Sequence, residues 1–119
     1  MQATTKLWRP GILFLVALNL LLGLSPAAPN EPSFTTIDFP GATYTQASGI
    51  NPKGEIVGFY ADTGGTLHGF LLSKGGFTSI DFPGAINTLN FWNTPGGAMV
   101  GLYDSADGKS HGFLRTTHR

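Results

Sequence analysis

FTTIDFPGA at 34–42 returns as FTSIDFPGA at 77–85, a displacement of 43 positions. Carried outward, the same displacement aligns the rest of the chain without a gap. Val57-Gly58 falls on Val100-Gly101, Tyr60 on Tyr103, and His68-Gly69-Phe70-Leu71 on His111-Gly112-Phe113-Leu114. About half of the paired positions are identical, so the chain from 34 onward is one unit written twice, at 34–76 and at 77–119.

Each unit divides into four short candidate strands. In the first these are 34–39, Tyr44–Ile50, 55–61 and Leu67–Ser73. Pro40-Gly41, Pro52-Lys53-Gly54 and Thr63-Gly64-Gly65 stand between them and favour turns through a fixed or positive φ. In 55–61, Ile56 and Tyr60 point one way while Val57, Phe59 and Ala61 point the other. Both sides carry apolar residues, so both faces of the sheet are expected to meet protein, as in blades stacked about an axis. Gly58 and Gly69, with Gly101 and Gly112, lie mid-strand and mark bulges or close backbone approach. Four strands in about 43 residues is the size of one propeller blade. The expected fold is all-β: two four-stranded propeller-blade-like repeats after a signal peptide.

That signal peptide is read at 1–27, with a short linker at 28–33. Lys6 and Arg9 give a positive start, GILFLVALNLLLGL at 11–24 an apolar core, and Ser25-Pro26-Ala27 the small residues of a cleavage site. The apolar run is shorter than the roughly 20 residues of a membrane-spanning helix, so secretion or periplasmic release is expected rather than stable insertion. An uncleaved anchor is the alternative. The chain has no cysteine. So small an exported domain often needs disulfides, and stability here must come from packing or association. After cleavage five basic residues face seven acidic ones, with no basic cluster to follow a phosphate backbone. Nucleic acid is therefore not expected as a partner.

The string IDFPGA…GINPKGEIVGFYAD…HGFL resembles the HAF-type extracellular repeats of bacterial exported proteins, over 34 to about 115. The resemblance implies an extracellular, propeller-like architecture and no particular activity. The second copy departs from it, with Trp92-Asn93-Thr94 where the first has Gly49-Ile50-Asn51. No C-terminal sorting tail of the kind some longer members carry follows Arg115. Propellers have about four to eight blades, so two cannot close a ring. Three routes remain open: a symmetric homo-oligomer, with three chains making six blades; a two-sheet sandwich; or a fragment of a longer gene.

Candidate chemistry is sparse. His68 and His111 occupy equivalent positions on separate repeats and are not expected to share a metal; a histidine hydrogen-bonded at a turn is the better reading. Asp38 and Asp81 precede Phe-Pro-Gly, where a carboxylate can accept N–H bonds from the turn. Asp62 to Thr66 resembles part of an Asp-box hairpin. Asp104, Asp107 and Gly108 lack the order of a calcium loop and read as a polar turn. No serine has a nucleophile-elbow context. No metal or other cofactor is implied. The ligand-binding candidates are Trp92 and Phe91, the one aromatic cluster that does not repeat, with Tyr60 and Tyr103, since exposed rings can stack on sugars. The resulting reading is a non-enzymatic exported module acting by binding or assembly, with a lectin-like carbohydrate binder as alternative. A propeller-type hydrolase is the rival from another class, and the acids, spread by repeat, argue against it.

Overall fold

The turns set the plan. In a computed structural model, which describes residues 30–117, Gly41, Gly54 and Gly65 all take positive φ, and so do their repeat partners Gly84, Gly97 and Gly108. Between the turns run seven strands: β1 (Tyr44–Ile50), β2 (Ile56–Ala61), β3 (Leu67–Ser73), β4 (Gly76–Ile80), β5 (Asn87–Asn93), β6 (Met99–Asp104) and β7 (Ser110–Arg115). They form two antiparallel sheets, β1-β2-β3-β4 and β5-β6-β7. Helix is absent among the described residues, and so is any helix long and apolar enough to cross a membrane. Thr35–Arg119 forms a compact unit of its own. The signal peptide read at 1–27 lies outside the described residues.

The all-β class holds, but the division into two four-stranded repeats does not. The stretch 34–39 is not a strand. Its repeat counterpart is β4, which belongs to the first sheet although it opens the second repeat. The reason is local: Lys74 and Gly75, at φ 51° and 79°, make a tight turn that folds β4 straight back on β3. Glu31 and Pro32 stand at the matching positions before Phe34, and no strand precedes FTTI among the described residues. Each sheet is thus offset from the sequence repeat, and the second has one strand fewer.

The core lies on both faces of β2 and β3. Val57, Phe59 and Ala61 are buried on one face, and Tyr60 and Phe70 on the other. The Val57 face is covered by β5, which brings the edge of Phe91 to Phe59 at 6.3 Å between centroids. Two glycines allow that approach. A Cβ at Gly49 would lie 2.6 Å from the Phe91 carbonyl oxygen, and one at Gly69 would lie 2.6 Å from Asn90 Nδ2. Asn51 adds a polar tie, its Nδ2 donating to the Thr94 carbonyl at 3.1 Å, while its Oδ1 accepts from Lys53 N and Glu55 N. The Gly-Ile-Asn motif is therefore the joint between the sheets. The bulges fall at Ser48 on β1 and Phe91 on β5, facing Gly58 and Gly101 rather than at those glycines.

Candidate functional site

The same ring column stands on each sheet. In the first, Phe39 stacks on Tyr60 at 3.7 Å between centroids and Tyr60 on His68 at 5.1 Å. In the second, Phe82 stacks on Tyr103 at 3.7 Å and Tyr103 on His111 at 4.9 Å. A threonine from the first strand of each sheet fixes the leading ring: Phe39 N donates to Thr45 Oγ1 on β1 and Phe82 N to Thr88 Oγ1 on β5, both at 3.0 Å.

Around the first column β4 adds two groups and a ring. His68 Nε2 meets Asp62 Oδ2 at 2.8 Å, and Nδ1 meets Asp81 Oδ2 at 3.0 Å. A neutral imidazole can donate to one carboxylate only, so this arrangement favours the doubly protonated ring. The hydrogen bond to Asp62, with help from Asp81, raises the His68 pKa above its ordinary value, against the opposing effect of burial. The same bond, with N–H donors from Thr66 and Gly64, holds Asp62 below the usual carboxylate range. Tyr60 Oη and Ser79 Oγ are 2.9 Å apart, and Phe77 sets its edge against both Phe39 and Phe70. The expected role of Asp81 in bonding the turn after it is replaced by the bond to His68, because the Phe82 N–H is taken by Thr88.

The second column lacks all three additions. Ser105 Oγ contacts His111 Nε2 at 3.1 Å, and among the described residues no carboxylate hydrogen-bonds to Nδ1. Where Phe77 sits in the first sheet, the second has an open hollow of about 330 Å³, lined by Ile80, Phe82, Pro83, Phe113 and Leu114 among others. Leu114 is 67% exposed.

The four ring candidates divide. Tyr60 is buried and Tyr103 half-buried, each inside its column. Phe91 and Trp92 stand together on β5, 40% and 56% exposed. No ring contact joins them to either tyrosine among the described residues. Asp62 caps its own hairpin, accepting from Gly64 N and Thr66 N, and Asp107 closes the polar turn by accepting from Lys109 N. Among the described residues no group of three metal-ligating side chains forms. Among the described residues no strand pairs with the outer edge of β7. An exposed edge was expected of an open pair of repeats; what sequence reasoning missed was which strand would stand there.

No family model, curated protein or solved structure matches this chain.

Proposed function

We propose that this chain is an exported, non-enzymatic module of the HAF repeat type, with propeller-like blades, that works by associating with copies of itself. One observation carries the reading: the second sheet repeats the first but leaves bare what the first covers. Val57 is fully buried while its counterpart Val100 is 44% exposed, and Phe70 is fully buried while Phe113 is not. Apolar surface is worth about 25 cal/mol per Å² on burial, and a domain without disulfides has few other sources of stability. The carboxylates nearest the ring columns are engaged in holding histidine, asparagine and turn groups, which supports a structural rather than a catalytic use. A closed ring of three chains, giving six blades, satisfies both bare surfaces.

Light scattering on the exported product tests this. Three times the chain mass is expected; a monomer that melts cooperatively contradicts it. A second reading, binding of carbohydrate at the open ends of the blades, is favoured by the adjacent exposed rings of Phe91 and Trp92.

A further inference from the structure

We infer that residues 34–37 of one copy form the missing fourth strand on β7 of a second copy, with Phe34 filling the hollow beside Phe82 and Phe113. The inference rests on the self-association just proposed and names the segment that performs it. The intramolecular precedent is β4 on β3, where Leu72 faces Phe77, Leu71 faces Thr78, Phe70 faces Ser79 and Gly69 faces Ile80. Moved by one repeat, these pairs become Arg115 with Phe34, Leu114 with Thr35, Phe113 with Thr36 and Gly112 with Ile37. The entering residues are those of β4 except for Thr36 in place of Ser79, which keeps the hydroxyl that Tyr103 needs. Phe34 is 97% exposed where it stands, and its counterpart Phe77 packs between two rings. Asp38 follows the strand as Asp81 follows β4, and would reach Nδ1 of His111.

Gly112 gives independent support. Gly69 has to be glycine, because a Cβ there would lie 2.5 Å from the Ile80 carbonyl oxygen on β4. At Gly112 the nearest atom to a built Cβ is 3.9 Å away. Within one chain a side chain would fit there, and a fourth strand restores the crowding that glycine relieves.

Residues 34–37 of the same chain cannot be that strand. Phe39 is fixed on the Tyr60 face of the first sheet, and the second sheet lies on the opposite, Val57 face. Two residues from Ile37 to Phe39 span at most about 7 Å, less than the thickness of roughly 10 Å between packed sheets. The face-to-face joint between copies also differs from the joint within a chain, since Trp92 stands where Gly49 gives β5 room. The junction therefore depends chiefly on the exchanged strand.

The test uses the exported chain with cysteines at Thr35→Cys and Leu114→Cys, a facing pair by the β3–β4 register, in a sequence with no other thiol. Oxidation should give a non-reducing ladder of linked chains. Thr36→Cys with Leu114→Cys, which turns one thiol to the other face, should not. Gly112→Val should abolish the oligomer and leave a folded monomer with an unchanged strand spectrum. An oligomer that neither links through 35 and 114 nor responds to Gly112→Val overturns strand exchange and leaves self-association standing. A disulfide closed within one chain overturns the second copy as donor. A wild-type monomer overturns both.

Discussion

The two sheets share about half of their paired residues at the same spacing, yet one is covered on both faces and the other is not. Ile56-Val57-Gly58-Phe59-Tyr60 and Met99-Val100-Gly101-Leu102-Tyr103 fold into matching central strands. The first lies between two strands and beneath β5; the second has its strand neighbours but nothing over Val100 and no strand beyond β7. Burial here is a property of position in the stack and not of sequence. A repeated sheet is complete only when its neighbour supplies a strand edge and a covering face. In the first sheet the second repeat takes that place. The second sheet has no such neighbour among the described residues.

The largest effect expected from breaking this comparison is at Phe70. Phe70→Ala removes a fully buried ring that contacts Phe39 and Phe77, and should cost about 3–5 kcal/mol in a denaturant melt. Phe113→Ala should cost clearly less in a monomer, where that ring borders the open hollow. In an assembled ring its cost should approach that of Phe70→Ala, and equal costs in a proven monomer would mean that the sheets do not differ as described.

A smaller effect concerns pH. The raised pKa of His68 means that its stabilising contribution is complete below its ordinary value of 6.5 and is lost as pH rises through the raised one. The lowered pKa of Asp62 means that its contribution is present above 3.8 and is lost as pH falls through the lowered one. The tie is therefore fully effective only between those two limits. Thermal melts from below 3.8 to well above 6.5 should show stability declining as pH rises beyond 6.5, and His68→Gln should flatten that decline. An unchanged profile in His68→Gln would remove the tie from the account of the first column.

The smallest effect is at Trp92. Being more than half exposed, it should change stability by about 0.5 kcal/mol or less on substitution by alanine. Loss of binding to immobilised glycans in the same variant would mark β5 as the sugar contact. Retained binding would move the contact elsewhere.

Much of this fold was legible because a repeat states each local rule twice. The boundaries of β1 and β3 follow from Pro-Gly and Gly-Gly turns and from apolar residues on both faces. What could not be read was which sheet each copy of FTxI would join. Strand propensity is the same in FTTI and FTSI; the outcome is decided by the Lys74-Gly75 turn, which delivers one of them to an edge and has no counterpart before the other. The ring column was equally hidden, since Phe39, Tyr60 and His68 come from three separate segments and only register brings them into line. Phe91 and Trp92 stood out in the sequence because they fall where the copies differ, but only the structure shows that they are exposed rather than packed in a core.

Amide hydrogen exchange on β7 in the wild-type protein compares the two sheets most directly. The amides of Ser110–Arg115 that point away from β6 face no strand among the described residues, whereas their counterparts on β3 are bonded to β4. If a second copy supplies the strand, the two sets should exchange at similarly slow rates, and dilution to the monomer should release only the β7 set. Exchange of those β7 amides at the rate of open loops, in a protein shown to be assembled, would contradict strand completion.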